Sequence, residues 1–170
     1  GLHTIYNKCL NKIINIKIYL DTDKRLVKYW KIKRDIYERG YELNDVLNNI
    51  KKRENDFKTF IKPQKENSDI IIRYFTDNKF NFTNLENIPN IYLKLIFLKN
   101  YNLMKFIDYL NELDINYIYK NNTLTFKEDT LKYKKLFLQI LKKYSVEFKS
   151  RNNIKNYYYI ILSILVYISN

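Results

Sequence analysis

The chain has 170 residues, 46% of them hydrophobic and 16% aromatic, which is enough apolar material for one or two compact domains. Its formal charge of +13 is spread along the chain: residues 1–75 carry 17 basic and 10 acidic side chains, and residues 76–170 carry 14 and 8. Because no block of like charge stands out, charge alone does not predict a nucleic-acid or membrane surface.

Cysteine and histidine are too few for the sites that they usually build. A single Cys9 excludes an internal disulfide, and Cys9 with the single His3 cannot ligate zinc, so we expect a reducing, cytoplasmic setting and no metal held by these residues. The longest apolar run, residues 157–168, is 12 residues long. A membrane-spanning helix needs roughly 20, so the run predicts a buried terminal helix and no membrane partner.

Glycine scarcity limits how the chain can bind a nucleotide. Only Gly1 and Gly40 are present. Both G-x-x-x-x-G-K-[ST] and G-x-G-x-x-G need glycines where the backbone approaches phosphate, so neither loop exists in these residues. The glycine-containing strand motif of RNA-recognition modules is absent for the same reason.

The first part of the chain predicts a strand, two helices and a second strand. Residues 14–20 form a β-branched apolar run typical of a strand buried on both faces of a parallel sheet. Residues 21–23 offer helix caps before a helix over 25–39, and Gly40 suits the left-handed position that ends it. A second helix is predicted over 43–60, and a second strand over 69–75.

The helix over 25–39 has one apolar and one charged side. At 100° per residue, one side is predicted to hold Tyr29, Ile32 and Ile36, flanked by Leu26, Trp30 and Tyr37. The other side holds Lys31, Arg34, Asp35 and Arg39.

A polar, asparagine-rich stretch, residues 76–90, is predicted to be a linker. Beyond it, residues 91–170 predict a small α+β domain that ends in an apolar helix. Its elements are a strand over 91–98, a helix over 103–113, strands over 115–119 and 124–127 joined at Asn121-Asn122, and helices over 131–144 and 154–168.

The charged side has two interpretations. Cations at i, i+3 and i+8 can converge on a polyphosphate, with arginine making paired contacts and lysine acting as a point charge. Alternatively, Asp35 pairs with Lys31 and Arg39, and Arg34 with Glu38, as ordinary helix-surface pairs. His3 likewise has two interpretations, as a substrate contact or as a structural or solvated residue. Asp21 and Asp23 could be metal ligands, but we interpret them as helix caps.

Motifs in a fixed order resolve the choice. The order is Gly1-Leu-His3, Ile18-Tyr-Leu-Asp21, Lys31-Ile-Lys-Arg34-Asp35, Glu38-Arg39-Gly40, Val46-Leu47, Lys52-Arg53 with Asp56-Phe57, Ile61-Lys-Pro63-Gln-Lys65 and Ser68-Asp69-Ile-Ile-Ile72. Residues 1–75 thereby resemble the later half of the phosphoribulokinase and uridine kinase family, and the Gly-Leu-His and Pro-Gln-Lys motifs resemble phosphoribulokinase more closely.

The resemblance implies an α/β fold: the C-terminal part of a P-loop kinase-like parallel sheet with helices, lacking the P-loop half and followed by the α+β domain. It also implies transfer of the γ-phosphoryl group of ATP, with Mg²⁺, to a hydroxyl of a sugar phosphate or nucleoside. Lys31 and Arg34 would stabilise the transferring phosphoryl group, Asp35 would orient the arginines, and Arg39 and His3 would contact substrate.

The residues that the family has and this sequence lacks limit the expected activity. The family's metal-site acid directly precedes Gly-Leu-His and its phosphate loop lies earlier still, so we expect a fragment without ATP turnover of its own. The alternative is a non-catalytic basic module that binds RNA or a partner protein, although the spread charge does not favour nucleic acid. A homo-oligomer is left open.

Overall fold

The computed structural model describes residues 4–77, 80–149 and 155–170. The chain divides into two compact units, Gly1–Lys99 and Asn100–Asn170. The division into residues 1–75, 76–90 and 91–170 stays a prediction about domains, while the compact units themselves divide after Lys99.

The first unit contains most of the helices and three strands. In chain order its elements are α1 Lys8–Ile13, β1 Ile18–Thr22, α2 Lys24–Tyr37, α3 Leu43–Lys52, the short α4 Glu54–Asp56, a π-helical turn Phe57–Ile61, a 3₁₀ helix Lys62–Asn67, β2 Ile70–Phe75 and β3 Tyr92–Phe97.

The sheet of this unit is mixed. β1 pairs in parallel with β2, with Ile18 opposite Ile70, as the sequence predicts. β3 pairs antiparallel with β2, with Phe97 opposite Ile70. β2 therefore lies between two strands, and its first three residues are all buried.

The prediction for β1 is wrong in two respects. The strand starts at Ile18 rather than at residue 14, and only Tyr19 within it is buried, whereas the side chain of Leu20 is 61% exposed. β1 is the end strand of the sheet in the part of the chain that is described, so one of its edges has no neighbouring strand, and the exposure of Leu20 shows that one of its faces is also uncovered. A buried parallel strand has cover on both faces, which β1 lacks here.

A carboxylate fastens the start of β2 to the segments beside it. Asp69 is 3% exposed; its Oδ2 accepts the Lys17 backbone N–H at 2.8 Å, and its Oδ1 lies 2.8 Å from Lys99 Nζ. The Leu98 N–H donates to the Asp69 carbonyl oxygen at 2.9 Å. Asp69 thus binds the residue before β1 and the two residues after β3.

Helix α2 has the cap and the terminating glycine that the sequence predicts, although it spans Lys24–Tyr37 rather than residues 25–39. Asp23 caps it by accepting the Arg25 backbone N–H at 2.9 Å, and Gly40 adopts φ +68° just beyond it. The buried stripe differs from the predicted one, because it consists of Leu26, Tyr29, Ile32 and Asp35. Trp30 and Tyr37, predicted to flank the apolar side, are 37% and 67% exposed.

The single helix predicted over 43–60 is broken. α3 stops at Lys52, Arg53 takes φ −86° and ψ −1°, and residues from Phe57 on continue as π and 3₁₀ turns. Pro63 lies in the first turn of the 3₁₀ helix. Proline lacks an N–H and its ring clashes with the carbonyl of residue i−4, so a regular α-helix cannot continue through this position.

The segment predicted as a linker contributes to the core of the first unit where it is described. The Phe80 side chain is 7% exposed and packs with Leu26 and Tyr29 of α2; the Tyr29 and Phe80 ring centroids lie 5.3 Å apart, edge to face. Phe82 and Leu85 pack against this cluster. These contacts pack the first half of α2 against the segment predicted as a linker.

The second unit has the predicted helices and hairpin, but the strand predicted over 91–98 is β3 of the first unit, and the strand predicted from residue 115 starts at Ile118. It contains α5 Met104–Glu112, β4 Ile118–Lys120, β5 Thr123–Phe126, α6 Lys132–Lys143 and α7 Asn156–Ser169. Asn121 and Asn122 have φ of 50° and 53°, the left-handed pair that a tight hairpin between β4 and β5 requires. α6 packs on α7, where Ile160 and Ile164 are buried.

Among the described residues, no helix has the length and apolarity needed to cross a bilayer.

Candidate functional site

Four of the five predicted site residues are brought together by α2 and the turn after it. Lys31, Arg34 and Asp35 lie on the helix, and Arg39 lies two residues after its last residue. His3, the fifth, lies outside the described residues.

Asp35 is at the centre of this group. Its side chain is 6% exposed, and its Oδ1 lies 2.8 Å from Arg34 Nη2 and 3.2 Å from Arg39 Nη1. The Arg34 Nε–H donates to the same oxygen at 2.8 Å. Arg39 therefore pairs with Asp35 as the surface-pair interpretation expects, whereas Arg34 pairs with Asp35 and not with Glu38.

Burial of Asp35 has a physical consequence for the arginines. A buried carboxylate needs charged or hydrogen-bonding partners, and here both come from its own helix and the turn after it. The arginine side chains are 45% and 50% exposed, and each guanidinium has five N–H donors, more than it gives to Asp35. Asp35 thus anchors two guanidiniums whose remaining donors face outward.

Lys31 lies one helical turn before Asp35 and shares its electrostatic surroundings. Its pKa is lowered, first by burial and then by the positive charge of Arg53, with further lowering from Arg34 and Arg39 and a partial offset from Asp35. Neighbouring cations make a positive charge on Lys31 less favourable, and this repulsion adds to the lowering of its pKa by burial.

Arg53 had no predicted role, yet it belongs to the same cluster. It lies at the end of α3, and α3 packs against α2. The signal was present in the Lys52-Arg53 pair of the motif series, but the predicted unbroken helix over 43–60 gave Arg53 no particular position. We call Lys31, Arg34, Arg39 and Arg53 the cation cluster.

In a second charged group, at the carboxyl end of β1, each cation has an acidic partner. Asp21 Oδ2 lies 2.8 Å from both Lys65 Nζ and Arg73 Nη1. Asp23 lies 2.9 Å from Arg25 Nη2, and the hydrogen bonds of Arg25 hold the pKa of Asp23 below its usual range. Asp23 is the cap that the sequence predicts, whereas Asp21 is an ion-pair partner.

The described residues show no cluster of side chains suited to hold a metal ion. The described ranges hold no group of three or more His, Cys, Asp or Glu side chains arranged around a common point. A groove of about 330 Å³ does run along β1, but its lining is mainly apolar and includes Ile5, Ile16, Tyr19 and Gln64 rather than the cation cluster.

Comparison with known proteins finds a family match within the first unit. Residues 1–81 match the model of the Phosphoribulokinase / Uridine kinase family. The whole motif series from the start of the chain to residue 72, and the cation cluster with it, falls inside this match.

Individual relatives agree with the family match. Phosphoribulokinase of Synechocystis is 37% identical over 73 residues, which are 43% of this chain and 22% of that protein. The chloroplastic phosphoribulokinase of Chlamydomonas reinhardtii is 41% identical over 73 residues, 43% of this chain and 20% of that protein. Uridine-cytidine kinase A of Dictyostelium discoideum is 38% identical over 86 residues, 46% of this chain and 16% of that protein.

The chain spans about a fifth of the length of the curated phosphoribulokinases it matches. A solved structure of phosphoribulokinase from Rhodobacter spheroides matches with a TM-score of 0.58 and 22% identity, over 81% of this chain and 50% of that one. This likeness confirms the predicted α/β, P-loop kinase-like fold class.

Proposed function

We propose that this chain contributes the lid and substrate side of an ATP-dependent phosphotransferase that phosphorylates a hydroxyl of a sugar phosphate or nucleoside. One observation carries the proposal: a buried carboxylate, Asp35, anchors Arg34 and Arg39 beside Lys31, inside the segment that matches the kinase family. The relatives named above are kinases, which supports the kinase class.

The roles follow from the charge that the reaction develops. The acceptor hydroxyl oxygen bonds to the γ-phosphorus of ATP while the bond to the β,γ-bridging oxygen breaks; ADP leaves, and the hydroxyl proton passes to a base. Negative charge is spread over the transferring phosphoryl oxygens, and fixed cations stabilise it most effectively. In this proposal Lys31 and Arg34 face the phosphoryl group, Arg39 holds substrate, and Asp35 positions both arginines.

The nucleotide and its Mg²⁺ require further residues. These 170 residues contain two glycines and no phosphate loop, and the described part holds no cluster of metal ligands. No step is assigned here to a metal. We expect no ATP turnover from these 170 residues alone, so the loop, base and metal ligands would come from other polypeptide. A cytoplasmic setting stays a prediction from the single Cys9.

The test uses the enzyme with its nucleotide-binding polypeptide present and measures phosphoryl transfer from ATP to sugar phosphates and nucleosides. Arg34→Ala should lower kcat by about 10²- to 10³-fold, because a donor that stabilises the transition state is lost. Arg39→Ala should chiefly raise the KM of the acceptor. Lys33→Ala is the matched control, since Lys33 is an exposed cation of the same helix.

Equal effects of Arg34→Ala and Lys33→Ala would contradict the proposal, as would the absence of transfer to every acceptor tested. A fall in activity that parallels a fall in thermal stability would identify a structural role for the cluster and would equally overturn it.

A further inference from the structure

Helix α6 buries one side in the second unit and leaves the other side in solvent. The buried side consists of Tyr133, Leu136, Phe137 and Ile140. This side packs on α7, where the Phe137 and Tyr159 ring centroids lie 5.7 Å apart. The core of the second unit therefore accounts for one side of α6 and not for the other.

The outward side of α6 combines leucine with lysine. Leu131, which directly precedes α6 and already has helical φ −63° and ψ −17°, is 73% exposed, and Leu138 is 55% exposed. Lys134, Lys135 and Lys142 are exposed as well. The spacing i, i+3, i+4, i+7 and i+11 places all five side chains on one face of a helix. We call these five residues the leucine–lysine face.

The two leucines lie along one line of this face. At 3.6 residues per turn and 1.5 Å per residue, Leu131 and Leu138 are about 20° apart around the helix axis and about 10 Å apart along it. The lysines lie on both sides of that line. An apolar ridge bordered by cations is therefore presented to solvent.

The positive charge of the leucine–lysine face is not balanced by the residues around it. Helix α6 contains no acid, and its one ion pair joins Lys132, outside the face, to Asp114 at 2.9 Å. Within the described residues, Lys134, Lys135 and Lys142 have no acidic side chain at ion-pair distance. The segment 128–149 holds six lysines against three acids, a net charge of +3.

The two residue types together select one kind of anionic surface. Nucleic acid would neutralise the lysines but leave the leucines in water. An acidic protein surface would need an apolar pocket for each leucine at the same spacing. At the headgroup boundary of a bilayer, leucine side chains enter the acyl region while the lysine stems extend and their ammonium groups reach lipid phosphate.

We propose that the leucine–lysine face docks on the surface of membranes that contain anionic lipids. Leu131 and Leu138 enter the boundary between headgroups and acyl chains, and the lysines contact lipid phosphates. The absence of a spanning helix among the described residues does not bear on this, since a surface-bound helix lies in the plane of the membrane. The face lies outside residues 1–81, the segment that matches the kinase family, so membrane docking and phosphoryl transfer can fail separately.

The experiment measures co-sedimentation of the 170-residue chain with phosphatidylcholine vesicles, with and without about one-third phosphatidylglycerol. The anionic vesicles should bind the chain and the neutral ones should bind it at least tenfold more weakly. The double change Lys134→Ala and Lys135→Ala should weaken binding about 25-fold, at about fivefold per lysine. The double change Leu131→Ser and Leu138→Ser, which leaves the charge unaltered, should weaken it about tenfold.

Controls are required because a chain of charge +13 is attracted to any anionic surface. Lys105→Ala with Lys120→Ala removes two exposed lysines from other elements of the second unit, and Met104→Ser removes an apolar side chain that is 69% exposed. Each control should weaken vesicle binding less than threefold. Urea unfolding of all variants separates loss of docking from loss of fold.

Several results would overturn the inference: no binding to anionic vesicles, equal binding to neutral ones, or equal weakening by the control pair of lysines. Vesicle binding that is insensitive to the two leucines would also overturn it, because the attraction would then be unspecific. A titration with single-stranded RNA tests the other polyanion. Tighter binding to RNA than to vesicles, dependent on the lysines and not on the leucines, would identify a nucleic-acid surface instead.

Discussion

At the scale of single residues, buried carboxylates organise the first unit. Asp35 and Asp69 are 4% and 3% exposed, and each is neutralised by cations that are themselves about half exposed. The arrangement keeps the acid fixed and leaves the cation accessible to solvent or ligand. Asp35 uses it within one helix and turn, whereas Asp69 uses it to connect separate strands.

Asp69 predicts a dependence of stability on pH. Its burial by itself would raise the pKa, but hydrogen bonds from Lys99 and the Lys17 backbone N–H, with the charges of both lysines, outweigh this and leave the pKa lowered from 3.8. A group whose pKa is lowered by folding stabilises the fold above its unfolded value. That contribution should be complete above about pH 5 and be lost as pH falls through the folded pKa.

The measurement is urea unfolding of the parent and of Asp69→Asn between pH 7 and pH 2.5. We expect Asp69→Asn to lower the free energy of unfolding by about 1–2 kcal/mol at pH 7, because an ionised acceptor is replaced by a neutral one. The difference should shrink below pH 4. A difference independent of pH would show that the effect is one of packing rather than charge.

The order of the motifs predicts which residues form the candidate site, but not how their side chains are arranged. The roles of Lys31, Arg34 and Arg39 are predictions from the family resemblance, since their spacing alone fits ordinary surface pairs equally well, and the structure brings them together with Asp35. The burial of Asp35 could not be predicted, because an acidic residue on an amphipathic helix is expected on the polar side. The partners that permit its burial are visible only once side-chain positions are known.

At the scale of elements, the turn between α2 and α3 decides where the cation cluster forms. Gly40 has φ +68°, and a Cβ built on it would meet nothing within 4 Å. Space is therefore not what requires glycine here. The requirement is the left-handed backbone, which costs an L-residue with a side chain roughly 1 kcal/mol or more.

Gly40→Ala should accordingly lower the free energy of unfolding by about 1 kcal/mol, and Gly40→Asn should cost less because asparagine tolerates this conformation. Thermal unfolding of the three proteins checks the order parent, Gly40→Asn, Gly40→Ala. Equal stability of the asparagine and alanine variants would contradict a backbone origin. The alanine variant should also weaken phosphate binding if it shifts α3 relative to α2.

Elements with strong periodicity were predicted well, and those that depend on neighbours were not. α2, β2 and the Asn121-Asn122 hairpin follow from local patterns of spacing, capping and turn chemistry. The prediction of one helix over 43–60 is wrong because the helical spacing of apolar residues continues past Lys52, whereas the regular α-helical backbone ends there. Phe57 and Phe60 are each more than a third exposed, so this stretch is less buried than its apolar spacing predicts.

At the scale of the whole molecule, the fold class was predictable because the motifs and the order of elements agree. The sheet's mixed character was not, since the antiparallel pairing of β2 with β3 depends on the return path of residues 76–91. That path was predicted to be a linker from its polarity. Its few aromatic residues, Phe80 and Phe82, are the ones that pack on α2 and near it.

The parallel pairing of β1 with β2 also sets the order in which the first unit folds. Residues in register, such as Ile18 and Ile70, are 52 positions apart, and closing a loop of that length costs about 3.5 kcal/mol of chain entropy. Helices α2 and α3 lie inside that loop, and their contact with each other is local in sequence, whereas the packing of α2 on Phe80 joins them from outside it. Such helices form much faster than non-local strand pairs.

Pulsed hydrogen exchange during refolding should therefore show the amides of α2 protected before those of β1 and β2. Because the cation cluster is built on α2 and α3, its charges converge while the sheet is still open, and their repulsion opposes the earliest compact state. Phosphate in the refolding buffer should then speed the appearance of helical protection. Simultaneous protection of β1 and α2 would contradict this order.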